Sequence, residues 1–211
     1  MEYSRGHYGR RNVRDLIRKF LPYLVVLVET HCQFEDARVF WNDLGYQECD
    51  IVEAYGHSSG IWVLSCIDSA SSYTCIDKCS QAISIRVHYG MYSWICSAVY
   101  TSPSWSMREL LWEHLANLWT LVVIPWLLLG DFNEVLLPFE VRGGNFIASR
   151  AQKFSQLMDK CGLLDLGAVG SRFTWFRRVE SGCSIFKRLD RGLSDSSWRT
   201  TFHEAYVENL T

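Results

Sequence analysis

The sequence predicts an α/β (α+β) fold in which two β-sheets pack face to face with helices outside. Three observations carry that expectation. Short β-rich runs bounded by turn residues outnumber the helical stretches, and the helices fall irregularly among them. Two runs, Leu24–Val28 and Trp126–Leu129, are almost continuously apolar, as in strands covered on both faces. Each run also delivers an acid at its C-terminal end, Glu29 in one and Asp131 in the other. A single doubly wound parallel sheet suits this order less well, because it needs strands and helices to alternate.

The elements follow in order. Val13, Leu16, Ile17 and Phe20 lie at helical spacing, and Pro22 stops the helix they predict. A strand over 24–28 comes next, then a helix over Asp36–Leu44 with Gly45 placed to cap its C-terminus. Strands are expected at Glu48–Ala54, Gly60–Cys66, Ala82–Val87 and Ser93–Tyr100. Leu110, Leu111, His114, Leu115 and Leu118 form one face of a helix from Ser106 to Leu118, with Ser106 and Glu109 spaced as a capping box. The apolar stretch Leu118–Leu129 contains Pro125, so it reads as a helix end, a turn and a core strand over 126–129. A loop runs on to Asn145, and a helix from Ser149 to Cys161 ends at Gly162. Short strands are expected near 163–166, 172–176 and 184–190, and a last helical turn over Ser196–Phe202.

With 211 residues, 48% of them hydrophobic and 21% charged, the chain can bury a substantial core, and its composition is not that of a disordered protein. With no linker, repeat or low-complexity tract, one domain over 1–211 is the expectation. The net charge of −2 gives no global attraction to nucleic acid. Charge is nonetheless uneven: Arg5, Arg10, Arg11, Arg14, Arg18 and Lys19 crowd the first segment, and Arg172, Arg177, Arg178, Lys187, Arg188, Arg191 and Arg199 crowd a late one. Either segment can meet a phosphate backbone or be a solvated face. Eight cysteines without a CxxC pair, and no signal peptide, point to reduced thiols filling space in a nuclear or cytoplasmic, non-secreted protein. No run is long enough to span a membrane.

The chemistry concentrates where the apolar runs end. In Leu127-Leu128-Leu129-Gly130-Asp131-Phe132-Asn133-Glu134, an extended backbone would turn Asp131 and Asn133 to one side, giving a proton acceptor beside a neutral donor. The same residues could instead form an Asx turn. Glu29 could be a hard-cation ligand or merely solvated, and Tyr100 and Trp175 could serve a site or fill the core. Asp190 could simply pair with Arg188 or Arg191.

Six motifs in order, VLVETH, GIWVL, AVYTSPS, LLLGDFNE, SRFTWF and RLDRGL, cover nearly the whole chain. Together they resemble the endonuclease/exonuclease/phosphatase family, and within it the endonuclease domain of plant LINE-type (non-LTR) retrotransposons. The resemblance implies a four-layer αββα sandwich of two mixed sheets flanked by helices. It also implies phosphodiester hydrolysis by in-line attack of water with Mg²⁺ (or Mn²⁺), on a DNA target-site duplex; no membrane is expected, and no obligate protein partner is inferable. Carried over residue by residue, Glu29 resembles the metal-binding glutamate and Asp131 the aspartate that orients or deprotonates water. Asn133 resembles the amide holding the phosphate or that aspartate. Tyr100 resembles the tyrosine near the scissile phosphate, and Asp190 the carboxylate that pairs with a catalytic histidine. Trp175, Arg172 and Arg188 fall where nucleic acid is contacted.

Two departures modify the expectation. Aligning Arg5-Gly6 with the family's opening motif puts Tyr3 where an asparagine contributes to the metal site. The closing serine-aspartate-histidine strand is not found by Leu210-Thr211, and His203 precedes its position. Terminal strands are therefore expected to be missing or incomplete and activity to be impaired. An inactive folded remnant with weak nucleic-acid binding and a small-molecule phosphoesterase are the alternatives.

Overall fold

A computed structural model describes residues 7–54, 60–178 and 184–210. Tyr3, Tyr55, His57 and Cys183 lie outside the described residues. The chain divides into two compact units, Met1–Tyr100 and Thr101–Thr211.

In the first unit, helix α1 (His7–Phe20) leads to strand β1 (Leu24–Thr30), helix α2 (Glu35–Asp43), and strands β2 (Tyr46–Val52) and β3 (Gly60–Cys66). An antiparallel meander follows: β4 (Ser72–Cys79), β5 (Ala82–Tyr89) and β6 (Tyr92–Tyr100). β3 pairs antiparallel with β1 on one side and β2 on the other. Residues 60–65 of β3 are all buried, since its two faces meet different layers. Trp62 and Leu64 join Val13 and Ile17 of α1 and Ala37, Phe40 and Trp41 of α2 in one core, with Phe34 set edge-on to Trp62 at 5.2 Å. Ile61 and Val63, equally buried, alternate to the opposite face, and the meander packs against this three-stranded sheet. The unit is thus helices, sheet and second sheet in layers. Gly45 ends α2 as expected, with φ +82° and its amide on Asn42 O at 2.9 Å.

β4 was not anticipated. Its sequence, Ser-Tyr-Thr-Cys-Ile-Asp-Lys-Cys, carries too few large apolar residues to stand out. The fold uses it as a half-covered strand that strictly alternates exposed and half-buried positions.

In the second unit, helix α3 (Trp105–Trp119) precedes β7 (Trp126–Asp131), a short 3₁₀ turn at Pro138–Glu140, β8 (Val141–Arg142) and α4 (Ala148–Lys160). Then come β9 (Leu163–Asp165), β10 (Val169–Gly170), β11 (Trp175–Arg178), β12 (Ser184–Lys187), β13 (Asp190–Asp195), α5 (Ser196–Thr201) and β14 (Glu208–Asn209). β13 runs antiparallel between β7 and β9. β12 lies between β11 and β8, and β10 and β14 form a short parallel pair. The expected strand over 184–190 is two strands, broken at Arg188-Leu189.

Helix α3 corrects the sequence reading twice. It starts at Trp105 with Ser104 as its N-cap and no side-chain cap, so Ser106 already lies in the first turn, its Oγ on Ser104 Oγ at 3.1 Å. No Ser106–Glu109 capping box forms. Its buried face is Arg108, Leu111, Trp112, Leu115, Ala116 and Leu118, while Leu110 is 57% exposed. The helix is rotated to bury Trp112, which stacks on Phe154 at 5.0 Å and Phe132 at 6.3 Å. An indole buries far more apolar area than an isobutyl group, so this packing outweighs burial of Leu110.

The molecule therefore has a mixed α/β fold of multi-stranded sheets flanked by helices. Among the described residues no helix is long and apolar enough to cross a membrane. The described cysteines are free thiols, and burial raises the pKa of Cys96 to about 12 and those of Cys75 and Cys161 to about 11. Such thiols act as packing groups rather than nucleophiles.

Candidate active site

The candidate residues form two clusters, one in each unit. In the first unit, β1 does not simply present Glu29 by its pleat. Glu29 has φ +56°, and the register with β3 slips between Val28, opposite Ile61, and Thr30, opposite Gly60. This is a bulge, a device that redirects a side chain. It closes only because residue 60 is glycine: a Cβ there would lie 2.3 Å from Thr30 Oγ1 and 2.7 Å from Val52 O. The redirected carboxylate accepts a hydrogen bond at 2.8 Å from the hydroxyl of Tyr100, the last residue of β6. Tyr100 is only 8% exposed, so its ring fills the core while its hydroxyl holds the Glu29 carboxylate. The bulge also ends the simple alternation that would have put His31 beside Glu29, and His31 is exposed.

In the second unit, Asp131 ends β7 and Asp190 begins β13, directly opposite it in the antiparallel register. Residues so paired share a face of the sheet, so two carboxylates stand side by side, an arrangement that costs stability on its own. Asn133 joins them by a route the sequence reading did not choose. It is not the next outward residue of an extended strand, since β7 stops at Asp131 and Asn133 has φ +47°. The chain turns back, and the Asn133 amide N–H donates to Asp131 Oδ1 at 2.7 Å. Its side-chain Nδ2 donates to Thr101 O at 2.8 Å and to Asp131 Oδ2 at 3.3 Å. The Asx turn is thus the means by which Asn133 clamps the aspartate.

Asp190 is not the partner of its flanking arginines. Arg191 pairs with Glu140 at 2.5 Å and Asp165 at 2.6 Å, and Arg188 with Asp165 at 2.7 Å and Glu140 at 3.1 Å. Burial alone would raise the carboxyl pKa of Asp165. The Arg188 hydrogen bond, the Gly167 amide and the charges of both arginines outweigh it and hold the pKa below its usual value. Glu140 behaves likewise, with Arg191 and the Leu136 and Leu137 amides opposing burial. Thr174 fixes the start of β13, its Oγ1 accepting from the Leu189 and Asp190 amides at 3.0 Å each.

Of the expected nucleic-acid contacts, Arg188 therefore has its charge engaged, with a side chain only 15% exposed. Trp175 is 37% exposed, with Lys187 Nζ 5.8 Å from its ring centre, and it continues into exposed Phe176, Arg177 and Arg178. Arg172 is also exposed; its guanidinium lies over Phe139 at 5.0 Å and donates to Phe139 O at 2.7 Å.

Sequence reasoning missed Gly60, Thr174, Arg108 and Glu134. Arg108 left a signal, a charge at helical spacing with Leu111 and Leu115 on the buried face of α3. Among the described residues no three His, Cys, Asp or Glu are grouped to hold a metal.

The endonuclease/exonuclease/phosphatase family matches residues 2–210, spanning both units. The chain belongs to that family. No curated protein matches it. Among solved structures, the endonuclease domain of TRAS1, a telomere-specific non-LTR retrotransposon, superposes with TM-score 0.69 at 11% identity, over 93% of this chain and 83% of that one. A 3′ phosphatase from Neisseria bound to a product DNA hairpin gives 0.63 at 18%, over 90% and 82%. An AP endonuclease from Archaeoglobus fulgidus gives 0.59 at 13%, over 88% and 93%. At such identities the likeness shows the fold, which is that of nuclease and phosphodiesterase-type hydrolases.

Proposed function

We propose that the protein is a divalent-cation-dependent DNA endonuclease of the retrotransposon type, hydrolysing a phosphodiester by in-line attack of water. The observation that carries this reading is the Asp131–Asp190 pair, two carboxylates facing one another across strands with Asn133 holding the first in place. Nothing in packing favours such a pair, whereas a hydrolytic site needs one carboxylate to orient and deprotonate water and another to set a proton partner. Asp131 takes the first role; Asp190 is placed for the second, although the histidine it would set is not found by Thr211, which is expected to slow turnover.

The donors suit a hard cation such as Mg²⁺ or Mn²⁺. Mg²⁺ is usually held by one or two carboxylates with water and phosphate oxygens, so a three-residue protein cage is not required. Glu29, pinned by Tyr100, is the residue that would hold it. Bound there, the ion would supply Lewis-acid neutralisation of charge developing on the phosphate. DNA affinity falls to the exposed basic and aromatic surface of Arg172, Trp175, Arg177 and Arg178, with half-buried Lys187 set over the Trp175 ring. Tyr3, in place of the family's asparagine, is expected to slow turnover.

The test is nicking of supercoiled plasmid in Mg²⁺ by the purified chain, beside Glu29→Ala and Asp131→Ala. Nicking lost in both variants supports the reading. A folded chain that never exceeds the variants is an inactive remnant. Phosphate released from a small phosphoester, with the plasmid left intact, makes the protein a small-molecule phosphoesterase.

A further inference from the structure

We infer that the buried Arg108–Glu134 pair is the positioning device for the Asp131–Asn133 turn, deepening the hydrolytic reading above and resting on it. Arg108 projects from the first turn of α3 and is 4% exposed; Glu134, next after Asn133, is 5% exposed. Arg108 Nη1 meets Glu134 Oε2 at 2.9 Å and also donates to the carbonyl oxygen of Asn133, while Nη2 reaches Pro103 O at 3.4 Å. The other Glu134 oxygen accepts from the Val135 amide at 3.2 Å. One guanidinium therefore grips the peptide after Asn133 and the side chain that follows it. The guanidinium is set by Trp105, with Arg108 and Arg150 over its ring at 5.3 and 5.4 Å.

Asn133 needs such a grip. Its left-handed backbone is a conformation that persists only where the surroundings over-determine it. Asp131 and Thr101 fix its amide and side chain, and Arg108 fixes its carbonyl. Stability alone is a poor reason for the pair, because apolar side chains of similar volume commonly replace a buried ion pair without loss. They cannot donate to the Asn133 carbonyl. Arg108 also lies within electrostatic reach of Asp131.

A double substitution separates support of the fold from positioning of the turn. In Arg108→Leu/Glu134→Leu neither buried charge is left alone, so the melting temperature should stay near that of the unsubstituted chain. KM for plasmid should stay within about twofold, while kcat falls on the order of 10–100-fold, the scale of a displaced catalytic group. Arg108→Lys, which keeps the charge and a donor but not the fork, should fall between them. A folded double variant with unchanged kcat overturns the inference. If the double variant does not fold, Arg108→Lys decides through its kcat, with a loss supporting the inference and an unchanged value overturning it. Should the unsubstituted chain prove inactive, the functional reading fails and hydrogen exchange judges the pair instead. The Asn133 amide should lose protection in whichever variant folds, and unchanged protection refutes the positioning role.

Discussion

Three non-glycine residues among those described have left-handed backbones, Leu21, Glu29 and Asn133, and two of them are candidate site residues. An L residue there carries a cost of roughly 1–2 kcal/mol, lower for asparagine than for glutamate. The cost at Glu29 can be isolated, because Glu29→Ala and Glu29→Gly remove the same carboxylate and differ in backbone freedom. The glycine variant should be the more stable by about 1 kcal/mol in urea denaturation, with both inactive; equal stabilities would mean that the bulge is unstrained. The Tyr100 hydroxyl gives a second prediction. Tyr100→Phe keeps the ring but frees Glu29, so the Mg²⁺ concentration for half-maximal nicking should rise by roughly 10–100-fold, as when a group orienting a ligand is lost. A Mg²⁺ titration of the nicking rate reads this, and an unmoved midpoint would separate Glu29 from the ion.

At the scale of elements, the closures that aim the site residues are short and unforgiving. Gly60→Ala puts a methyl against Thr30 Oγ1 and the Val52 carbonyl, so β1, β2 and β3 must shift. A loss of about 1–3 kcal/mol, the usual range for overpacking, is expected in thermal unfolding. Asp195 caps α5 through the Trp198 amide at 2.7 Å, and Asp195→Ala should cost about 1 kcal/mol. What the sequence revealed of these elements follows from periodicity. β1, β3 and β7 are apolar on both faces and α4 has a clean stripe, so their places could be read within a residue or two. Strand β4 could not, since its polar alternation resembles a loop, and neither could the turn of α3 toward Trp112, which depends on aromatic partners far along the chain. Glu29, Asp131 and Asn133 could be found from where apolar runs stop, but their backbone twist could not. A bulge depends on which residue lies opposite, and Gly60 is thirty-one positions beyond Glu29. The Arg188–Asp165–Glu140–Arg191 network was hidden for the same reason, its carboxylates coming from β9 and the 3₁₀ turn.

For the molecule as a whole, that network sets how the fold meets acid. Glu140 and Asp165 hold protons less tightly in the folded chain than at their ordinary values of 4.5 and 3.8. Their contribution to stability is therefore complete above those values and disappears as pH falls through the lower folded ones. Glu134 works in the opposite sense. Burial raises its pKa above 4.5 despite Arg108, so its ionised form weighs against the fold, and acid relieves that burden first. Stability should thus decline little on first acidification and then fall steeply below about pH 4.5, as two arginines are left buried beside neutral partners. Melting temperature measured from pH 7 to pH 3 checks the shape. Replacing the pair with apolar residues, Glu140→Leu/Arg191→Leu, should flatten the steep limb, whereas Glu134→Gln should remove the early relief and leave the steep limb in place. A steep limb that survives Glu140→Leu/Arg191→Leu unchanged would move the origin of acid lability away from this network.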